Sequence, residues 1–223
     1  MPEIKERPIL FSAAMVRAIL EGRKTVTRRA VNPQPILCDR SGFNWKGHSY
    51  GLGSDDAGTV RNFSKYSCPF GKSGDRLWVR ETWGLQVRRY GGGTGEHIVY
   101  RATNPDAIYC KSAEGQEYPV KWKPSIHMHR HSSRILLEIT NVRVERLQEI
   151  SEEQAQAEGI VGVDFRPDDG WPICTGYMVG PDDGKTSLQT TAAKAFAGLW
   201  DSVGGNWDAN PWVWVVEFKR VTR

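Results

Sequence analysis

The chain is poor in cysteine, has no long apolar run and carries no large excess of one charge, and each of these absences removes a class of protein. Four cysteines, Cys38, Cys68, Cys110 and Cys174, are widely spaced, with no C-x-x-C pair and too low a density for a disulfide scaffold. Reduced thiols in a cytoplasmic protein are expected. No stretch approaches the roughly 18 apolar residues that a spanning helix needs. The opening MPEIKERPILF lacks the apolar core and small-residue cleavage site of a secretory signal, so no membrane partner is expected. Lys and Arg exceed Asp and Glu by four (30 against 26), which is no histone-like polycation. No tandem repeat is present, and the one glycine cluster, GGGTGE at 91–96, does not follow the G-x-G-x-x-G pattern of a nucleotide loop.

What is present is local. Cations cluster at Arg23, Lys24, Arg28 and Arg29, at Arg88 and Arg89, and at Lys121, Lys123, Arg130 and Arg134. They form one patch only if the fold gathers them. Nine tryptophans are unusually many, and Trp78 and Trp122 sit beside cations. Such interleaving suits base stacking with phosphate contact, and it equally suits a tryptophan-rich core.

The elements follow from periodicity. Ser12 caps a first helix whose Met15, Val16, Ile19 and Leu20 share a face, and Gly22 stops it. Residues 74–83, GDRLWVRETW, alternate as a strand, with a further strand over 97–103. An extended WKPSIHM at 122–128 precedes a long β-rich stretch, 134–147. Ser151 and Gln154 form the capping box of a second helix that Gly159 closes. A third helix carries Phe196, Leu199, Trp200 and Val203 on one face, and the strand 211–221 ends the chain. Residues 38–66 and 161–187 are rich in Gly, Asp, Ser and Pro and are expected to be loop-like insertions in a single domain spanning 1–223. The order excludes regular βα alternation and implies an α+β or barrel-like fold.

Several residues could carry chemistry. In GRKTVTRR (22–29) a threonine hydroxyl becomes a nucleophile if a neighbouring amine takes its proton, and like-charged neighbours push Lys24 toward its neutral form. A solvated basic turn is the ordinary alternative. In a regular strand Lys24 and Thr27 point to opposite faces, so convergence needs a turn. Glu158 stands in the last helical turn, where the dipole disfavours a carboxylate unless a cation answers it. Arg80, Glu81, Trp83 and Tyr100 lie on strands where cross-strand ion pairing is the simple explanation. His127, His129 and His131 would share a strand face, yet no Cys or Asp lies at a reinforcing spacing, and no metal is expected.

Three segments together resemble a known family. GRKTVTRR fits the G-x-K-x-x-T-x-R signature of the ASCH domain, a relative of the PUA RNA-binding fold. SGDRLWV resembles that family's G-D-x-L strand, and ISEEQAQAEG with WVVEFKR resembles its late helix and last strand. In arrangement the chain is most similar to the larger prophage-type members. The resemblance implies a PUA-like small β-barrel with surrounding helices, and a nucleoside or single-stranded RNA as partner with no cofactor. Some compact members deacylate N4-acetylcytidine with a Lys, a Thr and a Glu, and by motif these fall on Lys24, Thr27 and Glu158. The matching arginine is Arg29. Arg80, Glu81, Trp83, Tyr100, Lys123 and Ser125 would then surround the substrate. Other members bind or cut RNA, so an RNA-binding module without catalysis and an RNA-cleaving protein are the alternatives.

Overall fold

The computed structural model describes residues 3–38, 42–50, 56–90, 93–167, 170, 172–180 and 184–221. Strand β1 (Glu6–Leu10) leads into helix α1 (Ala13–Leu20), with the Ser12 hydroxyl accepting from Met15 N, and then strand β2 (Val26–Ala30). A three-stranded meander follows, β3 (Ile36–Cys38), β4 (Gly42–Trp45) and β5 (His48–Tyr50), and then helix α2 (Asp56–Ser67). Next come β6 (Arg76–Arg80) and two hairpins: β7 (Trp83–Tyr90) with β8 (Gly93–Tyr100), and β9 (Ile108–Lys111) with β10 (Glu117–Pro119). The second half holds β11 (Leu136–Arg146), α3 (Glu152–Ala157), the hairpin β12 (Ile160–Phe165) and β13 (Cys174–Val179), α4 (Ala192–Ser202) and β14 (Trp212–Val221). The fold is mixed α+β.

The central sheet has the order β1-β6-β11-β14-β2, with β1 parallel to β6 and the other pairs antiparallel. Strand β14 shows how the sequence builds two cores. Its side chains alternate, so Trp214, Val216 and Phe218 face one way and Val213 and Val215 the other. The first set packs with Val16 and Ile19 of α1, Phe63 of α2 and Phe43 of β4. Phe63 stacks on Trp214 with centroids 4.9 Å apart. The second set packs with Val26 of β2, Ala155 of α3 and Phe196 and Trp200 of α4. Tryptophans thus serve as core: Trp45, Trp200, Trp207, Trp212 and Trp214 all belong to these clusters.

Several expectations are corrected. The five strands form an open sheet rather than a closed barrel, with β1 and β2 as its edges and the Arg29 guanidinium reaching Leu10 O at 2.5 Å. Within 38–66 the described residues are not loop-like, because Phe43 on β4 and Phe63 on α2 enter the core. Residues 161–187 include a paired hairpin, held against the segment before α4 by reciprocal Tyr177–Gln189 backbone hydrogen bonds of 2.8 Å. The 74–83 strand ends at Arg80, and the strand foreseen at 97–103 runs from Gly93 to Tyr100. His127 and His131 lie on two short 3-10 turns and His129 precedes the second, so the three do not share a strand. Among the described residues no helix is long and apolar enough to cross a membrane.

Candidate functional site

Gly22, at φ +77°, lets the chain reverse at the end of α1, so that Arg23 N and Lys24 N both donate to Ala18 O at 2.9 and 3.1 Å. The turn directs Lys24 inward before β2 begins at Val26. This removes the conflict between residues 24 and 27, since only Thr27 lies on the strand. Helix α3 ends alongside: Thr25 N donates to Ala157 O at 2.9 Å, and Glu158 caps the helix. Gly159, at φ +104°, follows immediately. A Cβ there would stand 3.2 Å from Ala18 Cβ and 3.6 Å from Lys24 Cβ, so the two helix ends approach because this residue has no side chain.

Lys24 Nζ donates to Glu158 Oε2 at 2.5 Å and to Glu158 O at 2.8 Å. The two side chains are 0% and 2% exposed. The cation that Glu158 requires at the negative end of α3 is therefore Lys24, with Arg28 NH1 at 3.4 Å from Oε1 as a second. Arg28 is held in turn by Glu145 Oε1 at 2.5 Å and Gln154 Oε1 at 2.6 Å, and Glu145 also takes Arg143 at 3.0 Å. Two cations and two carboxylates (Lys24 and Arg28, Glu158 and Glu145) balance, as buried charge must. Burial pulls the Lys24 ammonium below its ordinary value; Glu158 opposes the shift, and Arg29 and Arg28 add to it. Burial likewise lowers Arg29, again against Glu158.

Thr27 pairs with Val216 and is almost fully buried. With Arg28, Arg29 and Glu158 it lines a cavity of about 220 Å³, walled by Met15 and by Phe196, Leu199 and Trp200 of α4. Lys24 reaches the cavity through Glu158. Arg28 Nε and Arg29 Nε, on two residues of its lining, are buried with no acceptor among the described residues. Buried donors of that kind are rare and call for an explanation; a bound acceptor is one.

The motif residues Lys24, Thr27, Arg29 and Glu158 are thus brought together, and the other six expected residues are not. Arg80 donates to Met128 O at 3.2 Å and to Ile126 O, and its guanidinium covers Trp78. Glu81 holds Arg134 through two hydrogen bonds of 2.9 Å, and Arg134 lies 4.0 Å from the Tyr100 ring centroid. Tyr100 OH donates to Ser132 O at 2.8 Å. Lys123 bridges Trp83 through its backbone and places Nζ 4.6 Å from that ring, while Ser125 opens the 3-10 turn. These contacts fasten the 120–135 segment to β6, β7 and β8, and none of the six lines the Lys24 cavity. Among the described residues no three metal-donor side chains converge; His129 and His131 stack with centroids 5.6 Å apart.

Sequence reasoning missed Arg28 as a structural member of the site, together with Glu145, Gln154, Phe196 and Trp200 as its surroundings. A signal existed for Arg28: it alternates with Val26, so a strand with Val26 inside puts Arg28 inside too. The chain matches no family model, and comparison with curated proteins and with solved structures also gives no match.

Proposed function

We propose that the chain is a nucleoside- or RNA-binding protein of ASCH type whose Thr27, Lys24 and Glu158 hydrolyse the amide of an N4-acylated cytidine-type substrate. The observation that carries the reading is the buried 2.5 Å Lys24–Glu158 contact behind a cavity that Thr27 lines. Thr27 Oγ1 attacks the amide carbonyl and gives its proton to the Lys24–Glu158 pair. The C–N bond then breaks and that proton leaves on the departing amine; water hydrolyses the acyl-threonine, releasing the acid and restoring the hydroxyl. Burial lowers the Lys24 pKa, so a proton taken up by the pair is the more readily passed to the departing amine. The acceptor-free Nε–H groups of Arg28 and Arg29 are donors for the carbonyl oxygen as it gains charge. At about 220 Å³ the cavity suits one small planar group rather than a length of chain.

The same reading takes the open sheet as PUA-like, its edges joined through Arg29 and Leu10, and takes the four free thiols as those of a cytoplasmic protein. An RNA-docking strip at 22–29 has less support, because Lys24 and Arg28 are turned inward and ion-paired. The test is incubation with N4-acetylcytidine and, separately, with short RNAs. Cytidine release that Thr27→Ala and Lys24→Ala each reduce by about 10²-fold or more is expected. RNA binding that falls steeply with salt, with no cytidine released by the wild type, would overturn the proposal.

A further inference from the structure

A larger cavity, of about 540 Å³, lies between the two hairpins and shares no lining residue with the Lys24 cavity. Its size falls within the range of small-molecule sites. Its walls are fixed by specific contacts. Gln86 Nε2 donates to Ile108 O at 2.8 Å and Tyr109 OH to Glu96 Oε1 at 2.9 Å, tying β9 to the β7–β8 hairpin. On the other side, residues 120–123 lie directly on β7 because Gly84 has no Cβ. One there would collide with Val120 and stand 3.3 Å from Lys121 O. The Trp83–Lys123 bridge completes that wall, with backbone bonds of 2.7 and 3.3 Å.

The lining has a consistent chemistry. Leu85, Tyr109, Tyr118 and Pro119 offer apolar and flat faces. Lys121 and Lys123 bring two cations to the same space. Glu96, also of the lining, accepts from Tyr109 and keeps its charge, so the lining sets two cations against one carboxylate, while Glu117 pairs with Lys111 at 2.7 Å. Lys121 makes no hydrogen bond or ion pair with another described residue, and it is exposed. An apolar cavity with aromatic walls and an excess of ammonium over carboxylate is complementary to a flat body that bears negative charge.

We propose that this cavity binds a small ligand with a flat apolar body and one anionic group, a carboxylate or a phosphate. The inference is independent of amide hydrolysis at Thr27. It is tested on the full chain by calorimetric titration with 1-naphthyl phosphate, 1-naphthoate and 1-naphthol, which share a ring system and differ in charge. Peptide mapping of Cys110 alkylation, a residue of the same lining, locates the ligand. Both anions are expected to bind about tenfold more tightly than naphthol and to slow alkylation of Cys110. Lys121→Gln should weaken the anions about three- to fivefold and leave naphthol unchanged, and Tyr118→Ser should weaken all three. If only one anion meets these criteria, the source of the charge is identified. Equal binding of naphthol, anion binding indifferent to Lys121→Gln, unprotected Cys110 or no binding at all would each overturn the proposal.

Discussion

Glu158 answers two buried cations, and its removal leaves Lys24 without a counter-charge and Arg28 with Glu145 alone. Glu158→Leu is expected to cost about 3–5 kcal/mol of folding stability, read from the urea midpoint at constant slope. Lys24→Met combined with Glu158→Leu should cost clearly less than the sum of the single changes, because the pair is lost together. The sign of the pH effect follows from Lys24. Its native pKa lies below the ordinary 10.5, so between the two values the unfolded chain binds more protons than the folded one. Stability should therefore rise with pH across that window through this group, and Lys24→Met should remove that part of the rise. At this scale Glu158 was legible, since a carboxylate ending a helix asks for a cation. Arg28, Glu145 and Gln154 were not fully so, because they belong to β2, β11 and α3, and only tertiary placement makes them neighbours. Arg80 and Lys123 misled for a physical reason: cations beside aromatics look alike whether they meet a nucleic acid or clamp a long segment onto strands.

Glu152 of helix α3 ties down the start of helix α4, and the cavity wall depends on it. Glu152 accepts from Ala192 N at 2.6 Å and from Ala193 N at 3.3 Å, closing the first turn of α4 with a carboxylate at its positive end. Glu152→Ala should cost about 1–2 kcal/mol and lower hydrolysis further than the stability loss explains, since α4 carries Phe196 and Trp200 into the cavity. Parallel measurements of the urea midpoint and of cytidine release separate the two effects. Element starts and stops with strong chemistry could be read directly: Ser12 and Gly22 around α1, Ser151 and Gln154 at α3, and the alternation of β14. Helix α2 could not. Its sequence has low mean hydropathy, and Phe63, its fully buried anchor, becomes meaningful only against Trp214. Hairpin β12–β13 was also hidden, because short strands that pair chiefly with each other give little periodic signal.

Across the whole molecule, the sheet holds two cores, and the segment that resembled an insertion closes one of them. Phe63 stacks on Trp214, and Phe43 packs against Phe63, with centroids 5.1 Å apart, and against the edge of Trp212. Replacing residues 39–66 by a short linker should therefore abolish cooperative unfolding and the near-ultraviolet tryptophan signal, where removal of a true surface loop would leave both intact. The α+β class was legible from the order of elements, whereas the openness of the sheet was not, because pairing between residues as far apart in the chain as Thr27 and Val216 is invisible to local pattern. The proposed hydrolysis requires Thr27 to carry an acyl group during turnover. The most direct measurement is rapid-quench mass spectrometry of the protein with N4-acetylcytidine, followed by peptide mapping. It predicts an acetyl group on Thr27, absent in Thr27→Ala and discharged on standing in the wild type. Cytidine released at the full rate by Thr27→Ala, or no acetyl on Thr27 while the wild type turns over, would contradict it.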